Sequence, residues 1–147
     1  MDKKKIVDIL NTILELELAG AVRYTHYSLM IFGHARIPIV SWMRKEAAEA
    51  IDHATAAGEL ITTFGGHPSL KIGKLLETHR HDIDDILREA IEHEQIGVAQ
   101  YRELLAQTEG KDIRLEEYAR EMIRTEEDHI SEIEKMLRRP GVLEPAN

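Results

Sequence analysis

The feature that most restricts this chain is an internal repeat. Residues 13–24, I-L-E-L-E-L-A-G-A-V-R-Y, recur as residues 90–101, A-I-E-H-E-Q-I-G-V-A-Q-Y, at an offset of 77. Under that offset Glu15 falls on Glu92, Glu17 on Glu94, Gly20 on Gly97, Tyr24 on Tyr101 and Glu49 on Glu126, while His53 meets His129 at an offset of 76. The simplest reading is two related helical hairpins. Each supplies one acid from its first helix, and an acid and a histidine from its second. Glu17, Glu49, His53, Glu94, Glu126 and His129 are therefore the candidate ligands of a two-metal site.

The apolar pattern makes the hairpins helical. Ile6, Leu10, Ile13, Gly20, Tyr24 and Ile31 step by three, four or seven, the spacing of one helix face. A second stripe, Met43, Glu46, Ala50, His53, Ala57, Leu60 and Phe64, predicts a helix from Pro38 to Phe64, with Pro38 in its first turn. Gly65-Gly66-His67-Pro68 ends it. Helices are also predicted over His81–Glu109 and Asp112–Arg139, closed by Gly110 and by Pro140-Gly141. Between the hairpins, 69–79 carries Leu70, Ile72 and Leu75, too apolar for a free linker. Short loops pair antiparallel neighbours and one long crossover reverses the alternation, so the expected class is an all-α, up-down-down-up four-helix bundle.

With 147 residues, one domain spanning 1–147 is expected. The chain has no Cys, which removes disulfides, zinc–thiolate sites and iron–sulfur clusters and leaves carboxylate and imidazole as the metal donors. A net charge of −8 argues against general nucleic-acid binding. No apolar run reaches the roughly 18 residues of a membrane span, and Met1–Lys5 is charged with no signal-type apolar stretch after it, so a cytoplasmic protein is expected.

Glu17, Glu94 and Glu126 sit inside apolar stripes, where an ionised carboxylate costs several kcal/mol unless something compensates it. Arg23, Arg44 and Arg124 are the available cationic partners, but they lie off the stripes. Two divalent cations would balance four carboxylates, with His53 and His129 as neutral nitrogen donors. Glu126-Glu127-Asp128-His129 puts acid and imidazole on one face, one turn apart. Tyr24 and Tyr101 lie two turns beyond Glu17 and Glu94, in reach of the ligands. Glu46 reads as a solvated acid, with an accessory ligand or an ion-entry residue as the alternative, and His26, His34, His67, His79, His81 and His93 read as surface histidines.

These motifs resemble the ferritin-like di-iron carboxylate family and, more narrowly, bacterioferritin. L-N-T-I-L-E-L-E-L-A-G-A-V-R-Y is similar to the family's first-helix signature, with Glu17 at the terminal ligand position and Tyr24 at the site tyrosine, the candidate catalytic residue. P-S-L-K-I-G-K-L resembles the crossover, Glu94 the third-helix ligand, and E-E-D-H at 126–129 the fourth-helix bridging acid and histidine. The resemblance implies a ferroxidase that oxidises Fe²⁺ with O₂ or H₂O₂ at an intrasubunit di-iron centre, for iron storage or detoxification. Alternatives are a di-metal oxidase or peroxidase that stores no mineral, and a metal-free interaction bundle.

The second helix departs from the family. Three residues before His53 stands Ala50, where the family has its bridging glutamate; Glu49 is four before. Either a single-residue π-bulge or the i, i+4 spacing of an unbroken helix would bring Glu49 to the site. Ile51 takes the position of the haem-ligating methionine, which argues against haem. No counterpart of the family's fifth helix follows Arg139, so the expected homo-oligomer is a dimer, a 12-mer or a 24-mer.

Overall fold

Three of the four helices begin where an aspartate accepts a free main-chain N–H at the first turn. Asp2 accepts from Lys5 N at 3.1 Å, Asp82 from Asp84 N at 2.9 Å and Asp112 from Leu115 N at 3.0 Å. The computed structural model describes residues 1–145, so the last two positions of the expected 1–147 domain lie outside the described residues. Its helices are α1 (Lys3–Met30), α2 (Arg36–Thr63), α3 (Ile83–Thr108) and α4 (Ile113–Leu137). Among the described residues there is no strand and no fifth helix, and no helix is long and apolar enough to cross a membrane. The caps explain why α1 starts before Ile6 and α3 after His81: periodicity marks the apolar face, whereas the cap sets the boundary. Gly65 and Gly110, with φ of +80° and +71°, close α2 and α3 in the left-handed conformation that favours glycine.

The topology is up-down-down-up. α1 pairs with α2 and α3 with α4, while α1 also packs on α3. The backbones of α2 and α4 stay more than 8 Å apart. The crossover runs up the outside of α1. Asn11 Nδ2 donates to the His67 carbonyl at 3.2 Å, and Ser69 N and Oγ donate to Asn11 Oδ1 and Glu15 Oε1 at 2.8 and 2.6 Å. Higher up, Thr78 N and Oγ1 donate to Glu89 Oε2 at 3.3 and 2.9 Å. Glu89 belongs to a buried network in which Tyr27 Oη donates to its Oε1 at 2.7 Å and Arg23 Nη2 donates to Tyr27 Oη at 3.0 Å.

Two apolar clusters fill the bundle. One gathers Ile6, Leu10, Ile13, Ile61, Leu104 and Leu115 with Tyr101; the other gathers Tyr27, Ile31, Met43, Leu87 and Ile133 with Tyr24. Between them the inward positions of all four helices are polar.

Gly73 is where the crossover touches α1 most closely. Its N–H donates to the Glu15 carbonyl at 2.8 Å, and a Cβ there would lie 2.9 Å from that oxygen, which belongs to helix backbone and cannot swing aside. Gly58, inside α2, faces open space. Gly73→Ala should therefore lower stability by about 1–3 kcal/mol through overpacking. Gly58→Ala should raise it by about 0.5–1 kcal/mol through helix propensity. Urea unfolding of the two variants beside the wild type checks both signs.

Candidate metal centre

The polar layer encloses a cavity of about 20 Å³, large enough for one or two water-sized occupants. α1 supplies Glu17 and Tyr24 to its wall, α2 supplies Glu46, Glu49 and His53, α3 supplies His93 and Glu94, and α4 supplies Glu126 and His129. Every residue singled out as a ligand lines it, and so does Tyr24.

Glu126 is the hub. Its two oxygens face His53 Nδ1 at 3.1 Å and His129 Nδ1 at 3.2 Å. His53 Nδ1 also approaches Glu17 Oε2 at 3.6 Å. His129 meets Glu46 Oε2 through Nδ1 and Glu49 Oε2 through Nε2, both at 3.1 Å. The imidazoles lie nearly parallel, 6.4 Å apart. Donor atoms thus gather in three overlapping groups: Glu17, His53 and Glu126; Glu94, Glu126 and His129; Glu46, Glu49 and His129.

Two tyrosines brace this layer with the symmetry of the repeat. Tyr24 of α1 donates to Glu94 Oε1 of α3 at 2.5 Å, and Tyr101 of α3 donates to Glu17 Oε1 of α1 at 2.8 Å. One bond maps onto the other when the hairpins are exchanged. Burial, then the nearby carboxylates, pushes both phenols well above their ordinary range, so they stay protonated as donors.

No arginine neutralises the acids. Arg23 is committed to Tyr27 and Glu89, Arg44 donates to Ser28 Oγ at 3.3 Å, and Arg124 lies on the solvent face near Asp128. Among the described residues the one lysine or arginine ion pair to these acids is Lys45 Nζ to Glu49, at 3.9 Å, and the side chain of Glu49 is 33% exposed. Protons do the work instead. Burial raises Glu17 and Glu94, with the negative Glu126 adding to the rise. Burial also lifts Glu46 to about 7 against the pull of His129. Glu126 itself is held well below the usual carboxylate range, because hydrogen bonds from His129 and His53 outweigh its burial. For the same reason His53 rises to about 10 despite its burial, and His129 also rises.

The structure decides between the two routes offered for Glu49 and differs from the sequence reading at two residues. α2 is unbroken α-helix through Glu49–His53, with no π-bulge. Glu49 reaches the cavity because i, i+4 neighbours share a face. Glu46 is buried at 5% exposure rather than solvated, and it stands beside His129. His93 is buried as well, with Nε2 only 3.0 Å from where a Cβ on Gly20 would sit; burial, then Arg23, lowers it to about 4. Glu46 did lie on the α2 stripe, and that was the available signal.

The family model of the ferritin-like domain (Ferritin) matches residues 7–140. The chain belongs to the ferritin-like domain family. Among solved structures, the ferritin-like fold is shared with a ferritin-like, diiron-carboxylate protein from Bacillus anthracis str. Ames, at TM-score 0.88 and 23% identity over 94% of this chain and 99% of that one. It is shared with a dodecameric thioferritin, the bacterioferritin-related protein of Bacteroides fragilis, at TM-score 0.85 and 22% identity over 93% and 86%. A third is Rhodobacter capsulatus bacterioferritin, whose structure has a metal-free dinuclear site and haem iron, at TM-score 0.83 and 23% identity over 91% and 84%. No curated protein sequence matches the chain. In this ferritin-like domain Ile51 is exposed, in an apolar groove with Val22 and Leu29.

Raised proton affinities make the metal-free fold sensitive to base. A group that binds its proton more tightly folded than unfolded stabilises the fold below its unfolded pKa, and that stabilisation is lost as pH rises through the folded value. For His53 the window runs from the ordinary 6.5 to about 10, and for Glu46 from 4.5 to about 7. Chelator-treated protein should lose on the order of 2 kcal/mol of unfolding free energy between pH 7 and 10. His53→Gln should lose less than half of that. Urea midpoints across this range read the slope, and a flat wild-type profile would contradict the assignment.

Proposed function

We propose that the chain acts as one ferritin-like domain that binds two Fe²⁺ ions in its polar layer and oxidises them with O₂ or H₂O₂, delivering Fe³⁺ for storage or detoxification. The observation that carries this reading is a set of five carboxylates and two imidazoles, buried or partly buried with His93 beside them, drawn from all four helices and without an arginine partner among the described residues. Five carboxylates fall midway between the four positive charges of two Fe²⁺ and the six of two Fe³⁺, so the layer accommodates both oxidation states. The donors are all oxygen and nitrogen, which suits iron.

In this reading one ion is held by Glu17, His53 and Glu126, and the other by Glu94, Glu126 and His129. Glu126 bridges them. Glu49, joined by Glu46, would complete the position beside His129, and the bridging acid that Ala50 cannot provide would be left to Glu126. Binding displaces the protons that hold the metal-free layer neutral, from His53, His129 and the raised carboxyls. The bound pair supplies two one-electron oxidations, which match reduction of O₂ to H₂O₂ or of H₂O₂ to water. Tyr24 keeps Glu94 oriented through its phenolic proton and is the side chain best placed to pass a further electron. Ile51 offers no axial ligand, in keeping with a haem-free protein.

A cytoplasmic homo-oligomer with iron as its cargo is part of the same reading. Leu70 is 94% exposed, and Ile72, Leu75, Val22, Leu29 and Ile51 add apolar surface that repeated use of one interface would cover.

Purified protein should hold two irons per chain, and E94A/E126A should hold neither tightly while slowing Fe²⁺ oxidation at least tenfold. Elemental analysis and stopped-flow absorbance measure these; two retained irons in the double variant would refute the ligand assignment. A solution mass at the monomer value of 16.8 kDa would refute the assembly. Oxidation without mineral accumulation would favour a non-storing oxidase.

A further inference from the structure

A second donor cluster stands outside the bundle, where the crossover turns into α3. Glu77 Oε1 lies 3.8 Å from His81 Nε2 and 4.0 Å from His79 Nδ1, and the three donor atoms are all within 4.8 Å of one another. The other carboxylate oxygen of Glu77 meets His26 Nε2, on α1, at 3.0 Å. The spacing Glu-x-His-x-His would spread alternate side chains along one face of an extended segment. Here His79 adopts a φ of +56°, unusual for a residue with a side chain, and its N–H donates to Glu77. That turn folds the segment back on itself, so the three groups converge. Thr78, between two of them, is bonded twice to Glu89, which fastens the segment to the bundle.

The geometry is that of a metal site short of a small contraction. Bonds of about 2.0–2.1 Å in a tetrahedral field set ligand atoms roughly 3.3 Å apart, so the two Glu77–histidine spacings of 3.8 and 4.0 Å need to close by about 0.5–0.7 Å, and the two histidine nitrogens, within 4.8 Å, by at most about 1.5 Å. Two imidazoles and one carboxylate select borderline transition ions over Mg²⁺ or Ca²⁺, which prefer all-oxygen shells. His26 plays the part of an outer partner that orients a ligating carboxylate.

We propose that Glu77, His79 and His81 form a surface site for a divalent transition ion of the Zn²⁺ class, with His26 orienting Glu77 and water completing the coordination. The ion would lock the turn at the end of the crossover, while the existing His26–Glu77 contact links that turn to α1, independently of the bundle centre.

Zn²⁺ itself is the probe. Equilibrium dialysis with elemental analysis should find one Zn²⁺ fewer per chain in H79Q/H81Q than in wild type, with the helical circular dichroism unchanged because both positions are exposed. E77Q, which keeps the shape of the side chain, should show the same loss. His26→Gln should keep the ion but bind it about 10-fold more weakly, as loss of an outer partner does. E94A/E126A should retain this ion, and a large excess of Mg²⁺ should not displace it. Equal Zn²⁺ stoichiometry in wild type, H79Q/H81Q and E77Q would overturn the site. Displacement by Mg²⁺ would overturn the donor assignment.

Discussion

Everything in this bundle answers to one electrostatic problem: a layer of carboxylates in the middle of an apolar core. Ionised acids cost several kcal/mol each when taken out of water, and no arginine reaches these. The resolution is local and cooperative. Glu126 keeps its charge because two imidazoles donate to it, and its neighbours hold protons because they are buried and, beyond that, because it is charged. Removing one member therefore changes the protonation of the rest, so the layer behaves as a unit rather than as separate residues.

The rest of the fold supplies the frame that keeps this layer from collapsing. Apolar clusters above and below hold the helices apart at a fixed spacing, and each sends one tyrosine into the layer, Tyr24 from one side and Tyr101 from the other. The crossover, stitched to α1 at Asn11, Glu15 and Gly73 and to α3 at Glu89, fixes how the hairpins stand relative to one another. α2 and α4, whose backbones do not touch, meet through site side chains such as His53 with Glu126 and His129 with Glu46.

Most of this was legible in the chain because the repeat states it twice. The stripes gave four helices and their inward faces, and the matched registers gave Glu17, Glu49, His53, Glu94, Glu126 and His129, all of which line the cavity. What a repeat cannot report is a residue that only one hairpin carries. Glu46 falls on Ile123 under the same offset, and His93 falls on Leu16. Both were read as solvent-facing, and both are buried at the site. Of the two routes left open for Glu49, a π-bulge or ordinary i, i+4 spacing, the helix takes the second and keeps its α geometry. The Glu77 cluster escaped because three-dimensional convergence there depends on a left-handed residue in a loop, which periodicity does not encode.

The absence of a partner for Glu46 has a consequence for the pair of positions as a whole. Twofold exchange of the hairpins carries Tyr24–Glu94 onto Tyr101–Glu17, yet Glu46 and Glu49 both crowd the His129 end. The two halves of the proposed centre are thus chemically distinct. One gathers Glu17, His53 and Glu126, and the other is richer in oxygen donors and opens to solvent at Glu49, whose side chain is 33% exposed. Under the proposed reading the two ions would not be equivalent, and exchange would favour the half to which Glu46, the acid without a counterpart in the other hairpin, adds an oxygen donor.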